Sequence, residues 1–245
     1  MYKHCIILGS AYSIKSRIAL HYVDINAKEM KEKIDYIISK CGSDISISTH
    51  YIMTEENTWS SVVNYDLYFK DVKLISNVED FANLILCDRN LEGLDIAKYI
   101  ISKIPCTHLK LEKLTYFCYA DFLCEQKEKL FNDKIYAYRL GPIIDSVYKK
   151  YRKKTFSSIE DNKKLYNDQE KMSAIKSRII ASRNGLEKLA SIEKTLKKYG
   201  NLKASELVEL THKNNSPWYH SDSGTKNNKI ITDDVILKYH KFETI

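Results

Sequence analysis

The sequence predicts an α+β protein, with a small α+β N-terminal domain over residues 1–89 and a mainly helical domain over residues 91–245. Three observations carry this reading. A chain of 245 residues is longer than one small hydrophobic core usually organises. Its 7 Gly and 3 Pro leave few breakers, which favours long helices. The apolar pattern has mixed periods up to about Arg89 and a helical period from about Leu91 onward.

In the first part, Ile6-Ile7-Leu8-Gly9-Ser10 reads as a short strand and a Gly-Ser turn. Asn26 is placed to cap a helix over Ala27–Lys40, in which Met30, Ile34, Ile37 and Ile38 share a face and Gly42 is the stop. Ile45, Ile47, Thr49, Tyr51 and Met53 alternate with Ser46, Ser48 and His50, as in a half-buried strand. Val62–Phe69 and Val72–Ile75 read as further strands, with a turn near Asp71. Ser76 or Asn77 then caps a helix through Leu86 that buries Phe81, Leu84 and Ile85.

In the second part, Leu94–Ile104 is a helix stopped by Pro105. Thr107 caps the next, Leu109 to about Gln126, which is apolar over so much of its circumference that it belongs at the centre of a core. Asn132-Asp133 is a turn. Gly141-Pro142 breaks the chain, with Pro142 as first residue of a helix through Tyr151. Residues 152–171 are polar, an exposed helical excursion or a loop. A helical stretch runs from Met172 to Tyr199, a short helix covers Ala204–Thr211, and a terminal helix runs from about Thr232 to Lys241. Asn214–Pro217 and Ser221–Asn228 are loops.

Composition excludes several classes. With 44% hydrophobic and 29% charged residues the chain is an ordinary globular protein, neither collagen-like nor disordered. No apolar run approaches the roughly 20 residues of a spanning helix and no signal segment opens the chain, so a cytoplasmic protein without membrane contact is expected. The 6 Cys show no CxxC and no framework, and are expected to be reduced and largely buried. A formal charge of +7, with signs mixed along the chain, describes a solvated surface.

Chemistry-bearing patterns are sparse. The 7 His form no zincin pair; His212 and His220 flank one loop and could converge on a cation, but read first as hydrogen-bonding residues. There is no GxSxG elbow, and Cys118 and Cys124 lie in an apolar helix where thiols are inert packing. Gly9-Ser10 lacks the further glycines of a phosphate cradle, and Ser13-Ile14-Lys15-Ser16 is wrongly spaced for a P-loop. Tyr148-Lys149-Lys150-Tyr151-Arg152-Lys153-Lys154 interleaves aromatics with cations, as nucleic-acid binding needs, but also suits a helix end with Tyr148 and Tyr151 facing the core. These residues point to no catalytic group, metal or cofactor, and nucleic acid is not the expected partner.

The second part carries an ordered set of segments: Leu94–Ile100; Leu109-Lys110-Leu111-Glu112-Lys113-Leu114-Thr115-Tyr116; Phe131-Asn132-Asp133; Ala137-Tyr138-Arg139-Leu140-Gly141-Pro142-Ile143; Val147-Tyr148; Leu207-x-x-Leu210-Thr211-His212; and Ser216-Pro217-Trp218. In order and spacing the set resembles the Panacea antitoxin domain, the SocA-like or GepA-like phage-associated family, over about residues 91–245. Tyr136 departs from the family pattern, which commonly has an acidic residue there.

The resemblance implies a helical protein-binding domain without catalysis. It would neutralise a cognate toxin encoded beside it, as part of a toxin–antitoxin system of bacterial or phage origin. In one branch of the family the antitoxin is also an adaptor that delivers its toxin to a bacterial ATP-dependent protease. Because the domain occurs with many unrelated toxins, residues 1–89 become the candidate partner-specificity element. Two other functions fit the same scaffold: an inhibitor of another host protein, such as a defence nuclease, or a nucleic-acid-binding regulator built on the basic stretch 143–154. The residues singled out by the resemblance are Lys110, Lys113, Tyr116, Tyr138, Gly141, Pro142, Tyr148, Thr211, His212, Pro217 and Trp218. Taken one by one, Lys110 and Lys113 read as a solvated helix face, Tyr138 as core-facing, His212 as bonding loop backbone, and Trp218 as a plug of the helical core.

Overall fold

A computed structural model describes residues 1–152, 169–221 and 229–245, and divides into two compact units, Met1–Asn90 and Leu91–Ile245.

The first unit is built on a four-stranded sheet of order β3-β1-β2-β4: β1 (Tyr2–Ala11), β2 (Ser16–Val23), β3 (Ile47–Thr54) and β4 (Lys73–Leu74). β1 pairs antiparallel with both β2 and β3, and β2 pairs parallel with the two-residue β4. β1 is buried on both faces, because its side chains alternate between two cores. Cys5 and Ile7 meet Met30 and Ile37 of α1 (Ala27–Cys41) with Phe81 and Ile85 of α3 (Val78–Arg89). Ile6 and Leu8 meet Val62 of α2 (Trp59–Tyr65) with Phe69 and Val72. α1 starts at Asn26, whose side chain accepts from the Glu29 amide, and ends at Gly42 with φ +93°. Asn77 caps α3 in the same way through the Asp80 amide.

Three expectations for this unit are corrected. The strand expected over Val62–Phe69 is α2 followed by a 3-10 turn, started by Thr58, whose side chain accepts from the Ser61 amide. Gly9-Ser10 does not turn: β1 runs through to Ala11, and the reversal follows at Tyr12–Ile14 with Lys15 left-handed, leading into an unforeseen β2. On β3 the expected side packs inward only at the start, where Ile47, like Ile45 just before it, meets the first core; beyond it the buried side is the opposite one. Tyr51 and Met53 are exposed while Ile52 and Thr54 turn inward, because α2 and Phe69 reach β3 on that side.

The second unit is organised around α5 (His108–Gln126), buried on nearly every side. Thr107 caps it by accepting from the Lys110 amide, and Lys127, left-handed, ends it. Packed on it are α4 (Gly93–Lys103), α6 (Asp145–Tyr151), α8 (Gly185–Tyr199), α9 (Ala204–Thr211) and α11 (Asp233–Tyr239); α7 (Gln169–Ile180) lies against α4 and α8. A short α10 (Pro217–Ser221) joins α9 to α11. Leu111, Leu114, Phe117, Cys118 and Phe122 of α5 meet Ile96, Ile100, Ile192, Tyr199, Leu207 and Ile236 in one core.

Two expectations are corrected here as well. Gly141-Pro142 opens no helix. It begins β6 (Gly141–Ile144), the second strand of a hairpin with β5 (Ile135–Tyr138), and α6 starts only at Asp145. Pro142 is tolerated because β6 is an edge strand, where a missing N–H costs no ladder bond. The helix expected over Met172–Tyr199 is two, α7 and α8, divided at Asn184-Gly185, where Asn184 is left-handed. Residues 153–168 and 222–228, within the stretches read as an excursion and a loop, lie outside the described residues.

Candidate functional site

The residues that carry the resemblance are scattered over α5, β5, β6, α6, α9 and α10, and the fold brings most of them to the β5–β6 hairpin. Tyr138 pairs with Gly141, leaving Arg139 and Leu140 as a two-residue tip. Neither tip residue has positive φ, while Gly141 has φ +97°, the combination of a type I turn followed by a glycine bulge. Gly141 has a second reason to be glycine: a Cβ there would lie 2.6 Å from Thr211 Oγ1 and 3.0 Å from Lys113 Nζ.

Both sides of the hairpin are sealed. On the β5 side, the Ala137 amide donates to the Lys229 carbonyl and the Ile231 amide donates to the Ile135 carbonyl, 2.8 Å each. On the β6 side, α5 supplies the partners: Lys113 Nζ donates to the Pro142 carbonyl at 2.6 Å, and Glu112 Oε2 accepts from the Ile144 amide at 3.0 Å. The tip is gripped from below. Trp218 Nε1 donates to the Tyr138 carbonyl at 2.8 Å, His212 Nε2 lies 3.2 Å from the Arg139 carbonyl, and the Trp218 and His212 rings are 3.8 Å apart. Ser216 fixes the carrier of this grip: its hydroxyl donates to the Thr211 carbonyl at 2.6 Å and accepts from the Tyr219 amide, which sets Pro217 as the first residue of α10. His212 Nδ1 lies 2.7 Å from the Val208 carbonyl, so its ring ends α9 and holds the hairpin together. Tyr138 and Tyr148 meet edge-on at 5.2 Å, joining hairpin to α6.

Lys113 is the main correction. Expected on a solvated face, it is fully buried. Burial pulls its pKa down to about 7, against the upward pull of the Glu112 and Glu243 charges. Lys110 is half-buried and donates to the Gly200 carbonyl at 2.7 Å, where α8 ends. Tyr116 is fully buried, and its hydroxyl donates to Glu243 Oε1 at 2.6 Å.

Lys113 belongs to a buried polar array whose other members sequence reasoning missed. Glu112 is paired with His108 at 3.2 Å; burial raises its pKa, offset by His108, the Ile144 amide and Lys113. Further along α5, His240 sits between Asp121 at 2.7 Å and Glu243 at 2.8 Å. Burial alone would lower the His240 pKa, but bonds and charges of Asp121 and Glu243 raise it to about 9, so both ring nitrogens donate at neutral pH. Asp121 also accepts from Thr195 of α8, and Tyr119 donates to Asp233 of α11. The available signal was the charge pattern of α5. Glu112, Lys113 and Asp121 fall within the largely apolar stretch Leu111–Leu123, and charges in such a stretch need internal partners.

The other chemical candidates resolve into structure. The Tyr12 and Ser13 amides, which a phosphate cradle after β1 would use, donate to the Asp88 carboxylate at 2.5 and 3.0 Å. His212 faces Trp218 and His220 stacks on Tyr239, and among the described residues no group of three or more His, Cys, Asp or Glu could hold a metal. Burial pushes the Cys106 thiol up to about 12 and Cys118 well above its ordinary range. In the basic stretch, Lys149 pairs with Asp145 at 2.6 Å, Tyr151 is buried, and Arg152 lies over the Tyr148 ring; Lys153 and Lys154 fall outside the described residues. Among the described residues no helix is long and apolar enough to cross a membrane.

Comparison with known proteins places this arrangement. Antitoxin SocA of Caulobacter vibrioides (strain NA1000 / CB15N) is 28% identical over 171 residues, which covers 64% of this chain and 84% of that protein. No solved structure matches the chain. The family model described as "Antitoxin SocA-like, Panacea domain" matches residues 111–219, from the buried face of α5 to the tryptophan-bearing α10 that grips the hairpin. Residues 111–219 of the helical unit are thus similar to the Panacea domain of SocA-like antitoxins.

Proposed function

We propose that this chain is an antitoxin that acts by stoichiometric binding to a protein toxin encoded beside it, in the cytoplasm and without catalysis. The observation that carries the reading is the match of residues 111–219 to the SocA-like Panacea domain. The geometry supports it: the resemblance-bearing residues spend their polar atoms on carbonyls and on one another, building a rigid hairpin mount in place of a nucleophile–base pair. On this reading Met1–Asn90 distinguishes one toxin from another, and the bound complex is delivered to an ATP-dependent protease.

Co-expression with the product of the adjacent open reading frame tests the proposal. The neighbour alone is expected to arrest growth, and this chain to restore growth and to co-purify with it. A neighbour that is harmless and unbound removes the antitoxin reading. A toxin level that falls only when the protease is present supports the adaptor step; an unchanged level leaves binding alone as the mechanism. Replacing residues 1–90 with those of an unrelated Panacea protein is expected to abolish rescue of the original toxin, and retained rescue would move specificity to the helical unit.

A further inference from the structure

We propose that the β5–β6 hairpin tip, Arg139 and Leu140, is the docking anchor of the helical unit, and that it takes an acidic protein surface with an apolar pocket for Leu140. This rests on the antitoxin reading and assigns the contact within it. The first observation is rigidity. Both hairpin sides are closed by main-chain or α5 contacts, and Trp218, His212 and Lys113 fix the carbonyls around the tip. Arg139 and Leu140 project from the end of this mount, both exposed, Leu140 by 45%. An apolar side chain on a fixed turn loses little conformational entropy on binding, which is what makes an interface anchor effective.

The second observation is charge. Leu91–Ile245 holds 29 Lys and Arg against 20 Asp and Glu, whereas Met1–Asn90 holds 10 against 12, so the excess belongs to the helical unit. Around the tip stand Arg139 itself, Lys213 next to the gripping His212, and the exposed Arg152 just after α6, which lies over the Tyr148 ring that meets Tyr138. Such a field steers an acidic partner and rejects a basic one. A protein fits better than nucleic acid: Tyr138 and Tyr148 pack edge-on against each other with Arg152 over the Tyr148 ring, and the exposed side chain at the tip, Leu140, is aliphatic and offers no stacking face.

The test uses the full chain and the neighbouring gene product, with the double variant Arg139→Glu/Leu140→Asp and, as control, Lys197→Glu on the exposed end of α8. Hydrogen exchange of the free proteins checks that residues 108–126 keep their protection. The tip variant is expected to bind roughly thirtyfold or more weakly, with the loss smaller at high salt for Arg139→Glu alone, while the control binds like the unaltered chain. Equal binding by the tip variant overturns the proposal and leaves the antitoxin reading intact. No binding by the unaltered chain removes both. Salt-sensitive retention of a DNA or RNA oligonucleotide, lost in the tip variant while the neighbour still binds, makes this face a nucleic-acid site and also overturns the proposal.

Discussion

The two units solve burial differently. In Met1–Asn90 the interior is a sheet between two apolar layers; its buried polar groups are few, with His4 of β1 bonded to His21, Thr54 and the Glu56 carbonyl and Asp88 bonding the turn after β1. In Leu91–Ile245 the central helix carries ionisable groups into the interior, and Lys113, Glu112, His240 and Glu243 are all buried. Apart from the His4 bonds, the first core is held by non-directional contact, roughly in proportion to apolar area. The second adds a set of bonds that must all be made, since each unpaired charge would cost more than a missing methyl group. The lesson is that one chain can couple a tolerant core with a demanding one, and the demanding one lies beneath the hairpin.

That contrast can be broken by substitution. The largest effects are expected from Phe81→Ala and His240→Leu. Each should cost about 3–5 kcal/mol, the first by leaving a cavity and the second by stranding the Asp121 and Glu243 carboxylates. Hydrogen exchange should show lost protection within residues 1–90 for Phe81→Ala, and within residues 108–126 and 233–243 for His240→Leu. Loss spread evenly over both units in either variant would show that the cores are not independent.

Next in size is the response to pH. His240 has a folded pKa of about 9 against an ordinary 6.5, so its stabilisation is complete below about 6.5 and is lost as pH rises through 9. Lys113 has the opposite sign. Its folded pKa is about 7 against 10.5, so the folded state releases a proton that the unfolded state keeps, and stability rises with pH between those values. In urea titrations, the cost of His240→Gln should therefore shrink from pH 6.5 to 9, while that of Lys113→Met grows from pH 7 upward. The cost of Phe81→Ala should stay flat over the same range.

Smaller again, Gly141→Ala should cost about 1–3 kcal/mol, since it places a Cβ at positive φ and against Thr211. It should weaken partner binding beyond its effect on stability, because the tip moves. The smallest effects belong to the helix caps. Thr107→Ala and Asn26→Ala should each lower stability by about 1 kcal/mol, one in each unit, as read from denaturant midpoints.

Local signals were legible in the sequence. Asn26, Asn77 and Thr107 announced their helices because a capping side chain acts within three residues. The burial of α5 was legible because Leu111, Leu114, Tyr116, Phe117, Cys118, Tyr119, Phe122 and Leu123 put apolar groups on most of its circumference. The hairpin was hidden because its strands are four residues long and Pro142 imitates a helix start. β2 was missed although Ile18, Leu20 and Tyr22 alternate with Arg17 and His21, and the Asn184-Gly185 break was hidden within a continuous helical period. In the candidate site, the motif residues could be picked out but not placed. Lys113 reads as surface because an isolated lysine belongs there, and only contacts across the fold, such as Glu243 and Pro142, make an interior lysine tenable. His240 and Glu243 carried no local signal, since their partners Asp121 and Tyr116 are 119 and 127 positions away.

Those separations set a timetable for synthesis. When α5 leaves the ribosome, Glu243 and His240, the partners of its Tyr116 and Asp121, have yet to be made and arrive more than a hundred residues later. Until then the helix presents aromatic surface and uncompensated charge together, and contacts so distant in sequence form slowly. A nascent chain stalled before residue 240 would hold an unfinished interior, the state that chaperones and proteases recognise. Met1–Asn90, whose strands and helices find their partners within its own span, can fold while the rest is still being translated. The polar array of α5 is thus complete only once residues 240–243 are in place.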